Sequence, residues 1–307
     1  MPLRYTTLDV FTDRPFGGNP LAVFCDQPAL ATAQMQAIAR EFNLSETVFI
    51  VPPRDSRALR RLRIFTPSRE MPFAGHPTIG AVHALVEAGI ANIPGETGEF
   101  ALELEVGLVP IRVTQRAGAL PFLQLTAARL PETRGTAPSP AALARMLGLD
   151  EQDILHDRDC AEAWSCGVPF LFVPVRDRAV LARAKPDSAA WSDTLKGAWA
   201  KEAFVFCRDP ELPGSQIRAR MFAPDLGIGE DPATGGAVAA FGGYLAAREP
   251  AGSGTQKWTI EQGFEMGRPS ILHVQVDSSN GRLAAVHVGG TAVTLSDGTL
   301  HHVPESA

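Results

Sequence analysis

The chain has 307 residues, a length that predicts about two domains at roughly 150 residues per domain. Apolar residues make up 45% of it and charged residues 20%, a composition that excludes intrinsic disorder and fibrous structure. The net charge of −6 gives the surface a field that repels phosphate backbones, so we expect no binding to nucleic acid.

Neither a membrane segment nor a secretory signal is predicted. The longest stretch of low charge, residues 232–247, contains four glycines and is too short to span a bilayer. Charged residues near the start, among them Arg4 and Asp9, interrupt any apolar segment of signal-peptide length. We therefore expect a cytoplasmic protein, and the four cysteines, which form no CxxC pair, are expected to be reduced thiols.

Short β-type runs separated by glycine and proline dominate the first half. Apolar residues at helical spacing predict a helix over 29–42, which Asn43 ends in the left-handed conformation. A second helix is predicted to follow Pro77 and to end at Gly89. Strands are predicted at 3–10, 21–25, 47–51, 62–65, 102–106, 111–114 and 122–125.

The second half begins with a well-marked helix. Ser139 and Pro140 are typical of an N-cap and a first helical residue, and Gly148 is typical of a helix end, so a helix is predicted over 141–147. Strands are predicted at 170–175, 203–207, 217–222, 271–276, 284–288 and 292–295.

An internal repeat links the two halves. The segment 63–67, RIFTP, returns as RMFAP at 220–224, an offset of 157 residues. Downstream, GHPTIGA at 75–81 is matched with EDPATGGA at 230–237, which pairs Pro77 with Pro232. The repeat predicts two related α+β lobes, residues 1–118 and 119–307, and leaves open a return of the last strands to the first lobe.

Each matched junction joins a strand, a glycine or proline turn and a helix that is predicted to begin with proline. The free N–H groups of a first helical turn, together with the helix dipole, favour a carboxylate or a developing oxyanion. Because Gly75, Gly235 and Gly236 lack a Cβ, a ligand can approach the backbone closely there. The alternative is that these glycines only make tight turns.

Glu46 lies between the helix predicted over 29–42 and the strand predicted over 47–51, among apolar neighbours. Burial there would disfavour the charged carboxylate, so that one group could take up and return a proton near neutral pH. Glu46 is therefore a candidate general acid/base. The alternative interpretation is a surface charge at the start of a strand.

Four segments in this order resemble the PhzF family, of the diaminopimelate-epimerase-like superfamily: GNPLAV at 18–23, NLSET at 43–47, GHPTIG at 75–80 and EDPATG at 230–235. The resemblance runs from about Leu8 to the C-terminal strands. It implies an α+β fold of two pseudo-symmetric lobes, each a curled sheet or barrel around a central helix, with the active site between the lobes.

Members of that family isomerise a dihydro-hydroxyanthranilic acid without a metal or an organic cofactor. The resemblance thus implies a cofactor-independent isomerase that moves a proton between carbons of a small carboxylic acid, and it implies a homodimer. The catalytic residues that it implies are Glu46, His76 and Asp231. The substrate-binding residues that it implies are Ser45, Gly75, Gly235 and Gly236.

Two features keep other activities open. Gly236 stands where the family motif commonly has serine, so the substrate can differ and a non-catalytic carboxylate-binding protein is an alternative. Epimerisation or dehydration of a hydroxy or amino acid would begin with the same C–H cleavage. A two-thiol epimerase is not expected, because neither junction holds a cysteine, unless Cys25 or Cys207 reaches the site.

Overall fold

The structure is a computed structural model that describes residues 2–25 and 29–305. It divides into two compact units: unit 1 comprises Met1–Ala128 and Gly289–Ala307, and unit 2 comprises Arg129–Val288. The last segment of the chain thus belongs to unit 1. Residues 119–128, which the sequence analysis placed in the second lobe, also belong to unit 1, where the strand that follows residue 121 pairs with its neighbour.

The helices and strands are numbered in chain order. The helices are α1 (Thr32–Phe42), α2 (Gly75–Glu87), α3 (Pro140–Leu147), α4 (Arg178–Arg183), α5 (Ser188–Thr194) and α6 (Gly235–Arg248). The strands are β1 (Leu3–Val10), β2 (Asn19–Cys25), β3 (Glu46–Val51), β4 (Arg60–Phe65), β5 (Glu70–Met71), β6 (Thr97–Leu104), β7 (Gly107–Thr114), β8 (Phe122–Thr126), β9 (Glu132–Thr133), β10 (Glu162–Ser165), β11 (Pro169–Pro174), β12 (Glu202–Cys207), β13 (Ile217–Ala223), β14 (Ile228–Asp231), β15 (Gly254–Gln262), β16 (Ser270–Ser279), β17 (Arg282–Gly290) and β18 (Ala292–Leu300).

Unit 1 is a curled sheet around α2. Strand β1 pairs antiparallel with β2 and β18, β2 runs parallel to β3, and β3 and β4 are antiparallel. Strand β4 continues parallel to β6, which leads into the meander β6–β7–β8. Helix α2 contacts strands of this sheet on several sides, and its residues from Gly75 to Leu85 are buried, as expected for a helix that is apolar all round. At Gly80 a Cβ would collide with Leu21 and Val10, so glycine lets the helix approach the strands.

Unit 2 repeats this arrangement around α6. Strands β11 and β12 are parallel, β12 and β13 antiparallel, β13 and β15 parallel, and β15 and β16 antiparallel. A Cβ at Gly242 would lie 2.9 Å from Val274, which again shows close packing of the central helix on a strand. Helices α3, α4 and α5 contribute a second apolar core that includes the fully buried Trp191.

The strand registers show that the two units are structural repeats. Thr47 pairs with Phe65 in unit 1 as Ala203 pairs with Phe222 in unit 2. In the parallel pairs, Arg61 lies opposite Glu103, and Arg218 lies opposite Glu261. The fold class, two related α+β lobes each with a curled sheet around a central helix, is therefore confirmed.

A duplicated arginine–glutamate pair holds the turn before each central helix. Arg63 donates from Nε and Nη2 to the two carboxylate oxygens of Glu70, over 2.7 and 2.6 Å. Arg220 does the same with Glu230, over 2.8 Å for both bonds. Arg220 also donates from Nη1 to three backbone carbonyls, at Leu181, Ala182 and Ala184. Such two-point pairs fix the geometry of the turn in both units.

These pairs correct the alignment of the two junctions. Helix α2 begins at Gly75 and α6 at Gly235, an offset of 235 − 75 = 160 residues, the same as that between Glu70 and Glu230. The expectation that both helices begin with proline, with Pro77 and Pro232 equivalent, was wrong. Pro77 is the third residue of α2, and Pro232 lies before α6. Proline suits both places, because neither requires its N–H.

The other helix predictions differ in quality. Helix α3 is confirmed, with the Ser139 hydroxyl accepting the N–H of Ala142 and Gly148 in the left-handed conformation. Helix α1 ends as predicted at Asn43, whose φ is 50°. Helices α4 and α5 were not predicted, because with 6 and 7 residues they are too short to show a period. No helix in the described ranges is long and apolar enough to cross a membrane.

We predict that the arginine of unit 2 contributes more to stability than its counterpart in unit 1. Removing Arg220 leaves Glu230 and three carbonyls without their donor, so Arg220→Met should lower the free energy of unfolding of unit 2 by about 3 to 5 kcal/mol. Arg63→Met should cost less, because the Glu70 side chain is 26% exposed and water can replace the guanidinium. Urea unfolding measures both changes, with the exposed Arg134→Met as control. A larger loss for Arg63→Met would contradict this ranking.

Candidate functional site

Glu46 is the first residue of β3 and follows the turn that Asn43 begins. In the parallel pairing of β2 with β3 it lies opposite Leu21, two residues after the start of β2. Its side chain is only 14% exposed. Glu46 is therefore a largely buried carboxylate, and the alternative of a solvated surface charge does not describe it.

His76, the second residue of α2, faces this carboxylate. The Nε2 atom of the ring lies 3.4 Å from Oε2 of Glu46, and the ring is 5% exposed. On the other side of the ring, the side-chain amide of Asn19 donates to Nδ1 over 3.3 Å. Since Nδ1 accepts, the proton of the neutral ring is on Nε2, the nitrogen that faces Glu46. Asn19, which is fully buried, thus fixes the tautomer of His76.

Burial also fixes the charge of His76. Removal of the ring from water disfavours the imidazolium and lowers its pKa from the ordinary 6.5 to about 3. The contact of His76 with Glu46 is therefore made by a neutral N–H group near neutral pH and is not an ion pair.

The N-terminus of α2 lies beside this pair. The N-cap residue is Ala74, which has no polar side-chain atom, so the first-turn amides of Gly75 and His76 lack a side-chain cap. Gly75 is buried, and Ser45, the residue before Glu46, is half-buried. Among the described residues, no acceptor makes a well-aligned hydrogen bond with Nε2 of His76. A buried donor of this kind is available to a ligand.

The corresponding junction of unit 2 carries Asp231, the last residue of β14. Asp231 is buried, and its Oδ2 accepts a hydrogen bond of 2.5 Å from the hydroxyl of Thr234. The hydroxyl oxygen of the N-cap residue Thr234 accepts no hydrogen bond from the first turn, so it does not cap α6. The first-turn amides of Gly235 and Gly236 thus also lack a side-chain cap.

Gly236 leaves room for a larger residue. A Cβ at this position would approach no atom more closely than the ring of Phe170, at 3.8 Å, which is ordinary van der Waals contact. Glycine is therefore not required here by packing. The Cβ of a serine would fit here.

The predicted site residues are divided between the two units. Unit 1 contains Ser45, Glu46, Gly75 and His76, and unit 2 contains Asp231, Gly235 and Gly236. Under the corrected alignment the counterpart of His76 is Gly236, not Asp231. Three polar residues that touch these groups were missed as site residues: Asn19, Thr234 and Gln262. Asn19 and Thr234 lie in motifs that pointed to the family, but their partners follow only from the fold.

Neither Cys207 nor Cys25 suits a two-thiol epimerase. Burial raises the pKa of Cys207 to about 11, which leaves it protonated near neutral pH. Cys25 ends β2, six residues and about 20 Å from Asn19 at the start of the same strand. Between residues 2 and 305, outside the gap at 26–28, no group of three or more His, Cys, Asp or Glu side chains could hold a metal ion.

Unit 1 also contains a cavity of 640 Å³, which is not lined by the predicted site residues. Its lining includes Arg4, Cys25, Glu87 and Asp297. Glu87 is the last residue of α2, about 18 Å along the helix from Gly75. None of the residues predicted for the site lines this cavity, so it is not the candidate site.

Relatives that cover nearly the whole chain are named isomerases, and the chain is an enzyme of this class. A model of the PhzC–PhzF family, described as phenazine biosynthesis-like protein, matches residues 8–298, and the chain belongs to this family.

Curated relatives cover nearly the whole chain. An uncharacterized isomerase of Mesorhizobium japonicum is 42% identical over 302 residues, which are 97% of this chain and 98% of the relative. The trans-2,3-dihydro-3-hydroxyanthranilate isomerase of Pseudomonas aeruginosa is 32% identical over 306 residues, covering 96% of this chain and 98% of the relative. A crystal structure of the Bacillus anthracis phenazine biosynthesis protein of the PhzF family has a TM-score of 0.87 at 27% identity, covering 97% of this chain and 99% of that one.

We predict that the buried His76 makes stability depend on pH. The folded ring has a pKa of about 3, whereas the unfolded ring titrates near 6.5, so acid favours the unfolded state below about pH 6.5. Between pH 7 and pH 5 this difference should remove about 2 kcal/mol from the free energy of unfolding. His76→Gln should abolish that part of the pH dependence in urea unfolding, and His302→Gln, at an exposed position, should leave it unchanged. Equal slopes for wild type and His76→Gln would contradict the assignment of a neutral His76.

Proposed function

We propose that the chain is a cofactor-independent isomerase that moves a proton between two carbons of a small carboxylic acid, with Glu46 as the general acid/base. The observation that carries the proposal is the largely buried Glu46 carboxylate, 3.4 Å from a neutral His76 whose N–H faces it. A buried carboxylate beside a neutral donor is suited to accept a proton and to return it.

The proposed reaction has two steps. In the first, Glu46 removes a proton from a carbon of the substrate, the C–H bond breaks, and its electron pair passes into the adjacent unsaturated or carboxylate system. In the second, the protonated Glu46 delivers a proton, either the one it removed or one exchanged with solvent, to another carbon, where a new C–H bond forms. The atoms balance without an oxidant or a further reactant. His76 and Asp231 are proposed to hold polar groups of the substrate or to relay protons.

The substrate carboxylate is proposed to bind at uncapped first-turn amides. Helix N-termini carry N–H groups without intrahelical acceptors and the positive end of the helix dipole. The residues proposed to bind substrate are Ser45, Gly75, Gly235 and Gly236. Their support is the absence of a side-chain cap at the N-terminus of both α2 and α6.

The first compound to test is trans-2,3-dihydro-3-hydroxyanthranilate, after which the Pseudomonas aeruginosa relative is named. Gly236, in place of the common serine, favours a different small carboxylic acid, so a panel of cyclic and unsaturated acids belongs in the same assay. Epimerisation or dehydration of a hydroxy or amino acid is the second candidate. A binding protein without turnover is the third, and it predicts thermal stabilisation without proton exchange.

A cytoplasmic location and a homodimer complete the proposal. The first rests on the four cysteines, none of which forms a disulfide, and the second on the resemblance to the family. Sedimentation of the purified protein measures its mass in solution, and a monomer at working concentrations would rule out the homodimer.

We predict that Glu46→Gln abolishes proton exchange. The amide has nearly the shape of the carboxylate but cannot serve as a base, so deuterium uptake by the substrate in heavy water should fall by about 10²- to 10⁴-fold. Mass spectrometry measures the uptake, and a thermal shift with the same acid shows whether binding persists. Glu99→Gln, at a side chain 71% exposed, is the matched control and should exchange like the wild type. Proton exchange that persists in Glu46→Gln would contradict the role of Glu46 as general acid/base.

We further predict that Gly236→Ser changes affinity without disturbing the fold. The new side chain meets only ordinary contact with Phe170, so the unfolding midpoint should not fall. One added hydrogen bond to a bound acid is worth about 0.5 to 1.5 kcal/mol, so affinity for acids that can use the hydroxyl should rise about twofold to tenfold. Isothermal titration over the acid panel measures the change. Uniform weakening for every acid would show that Gly236 is needed for close approach of the ligand.

A further inference from the structure

Gln262, a fully buried residue at the end of β15, directs its side-chain amide to the Asp231 junction of unit 2. Its Nε2 donates to the backbone carbonyl of Asp231 over 2.7 Å and to the hydroxyl oxygen of Thr234 over 3.0 Å. Its Oε1 accepts the backbone N–H of Thr234 over 3.1 Å. Both donors and the acceptor of this amide are thus used on one four-residue segment.

These bonds determine the direction of the hydrogen bond between Thr234 and Asp231. An NH₂ group can only donate, so the Thr234 oxygen accepts from Gln262. The single hydroxyl proton of Thr234 is then directed to Oδ2 of Asp231, 2.5 Å away. Gln262 therefore acts on the Asp231 carboxylate indirectly, by orienting the Thr234 hydroxyl that donates to it.

The segment after Gln262 packs against the same junction. Gly263 has a φ of +77°, and a Cβ there would lie 2.6 Å from the carbonyl oxygen of Pro232. Glycine permits this approach, which no other residue would allow without a shift of backbone. The end of β15 thus braces both Asp231 and the proline that follows it.

Unit 1 shows that the fold does not require this polar set. The register that places Arg61 opposite Glu103 and Arg218 opposite Glu261 makes Leu104 the counterpart of Gln262. The offset of 160 residues makes Met71 the counterpart of Asp231 and Ala74 that of Thr234. All three positions are apolar in unit 1 and polar in unit 2. Because all three positions differ together while the fold stays the same, the polar residues of unit 2 indicate a role in function and not in folding.

We propose that Gln262 is a positioning residue for the reaction, which orients the Thr234 hydroxyl so that the Asp231 carboxylate is held in one rotamer with Oδ2 already bonded. This inference rests on the proposed function, in which Asp231 contacts the substrate. It adds that the contact depends on a residue in another strand, and that Gln262 and Thr234 act as one unit.

The first test does not depend on turnover. Gln262→Met keeps the length of the side chain but removes the acceptor of the Thr234 N–H, so the Thr234 amide should exchange with heavy water at least about tenfold faster. Gln256→Met is the matched control: Gln256 lies on the same strand and donates to the carbonyl of Glu249, away from the junction. Unchanged protection of the Thr234 amide in Gln262→Met would overturn the proposal.

The second test compares Gln262→Met, Thr234→Val and the double variant in the isomerase assay. Each single change should lower kcat by about tenfold or more while KM changes less than about threefold, because substrate binding elsewhere is intact. The kcat of the double variant should lie within about threefold of the kcat of the slower single variant, since both changes remove the same hydroxyl contact. Effects that multiply fully would show independent roles and overturn the proposal.

Two further variants distinguish a failure of the Gln262 proposal from a failure of the proposed role of Asp231. Gln262→Glu still accepts the Thr234 N–H but cannot donate when ionised, so amide protection should persist while kcat falls; it also replaces Gln262→Met if that variant does not fold. Asp231→Asn tests the proposed function itself. If Asp231→Asn has normal kcat, the role of Asp231 fails, whereas fast exchange of the Thr234 amide in Gln262→Met would still show that Gln262 braces the junction.

Discussion

The pairing of a strand arginine with a glutamate before the central helix is the constraint on which both junctions depend. The guanidinium of Arg63 or Arg220 holds both oxygens of its glutamate, so the turn is fixed at two points against the strand. A buried pair of this kind gains little stability over apolar packing, but its geometry is far more specific. In both units the helix then starts five residues after the glutamate, with its first amides uncapped.

On this common scaffold the two units carry different chemistry. Glu202 stands at the position of Glu46, since the registers of β3 with β4 and of β12 with β13 coincide, but the position of His76 is taken by Gly236. The polar set around Asp231 has apolar counterparts in unit 1. The duplication therefore supplies the frame twice, while the Glu46–His76 pair and the polar set around Asp231 each occur in one unit.

Much of the fold could be predicted from the sequence, because its signals are local. Alternating residues marked most strands, and Asn43, Ser139 and Gly148 marked helix ends through backbone conformation and capping. The junction alignment could not be predicted this way. The short segments around Pro77 and Pro232 have similar sequences, and this similarity gave the wrong alignment. The structural alignment of the junctions depends on the Arg–Glu pairs and on strand register, which are properties of the folded chain.

The candidate site was predictable only in part for the same reason. Family resemblance named Glu46 and His76, but the Asn19 amide that sets the His76 tautomer lies 57 residues away in sequence. Gln262 lies 28 residues from Thr234, at the end of a strand whose pairing brings it to the junction. Neither contact has a periodic or motif signal, since a side-chain amide hydrogen bond constrains geometry and not spacing in sequence.

Burial of His76 has a further consequence for the proposed chemistry. An imidazolium 3.4 Å from Glu46 would stabilise the ionised carboxylate strongly and make it a weak base. A neutral ring offers Glu46 only an N–H group, which stabilises the ionised form of a carboxyl group less than an imidazolium would, as the proposed proton removal requires. The neutral ring also cannot compete as an acid when Glu46 must return that proton. The absence of charge on His76, which follows from its lack of contact with water, therefore suits the proposed reaction, in which Glu46 carries the proton.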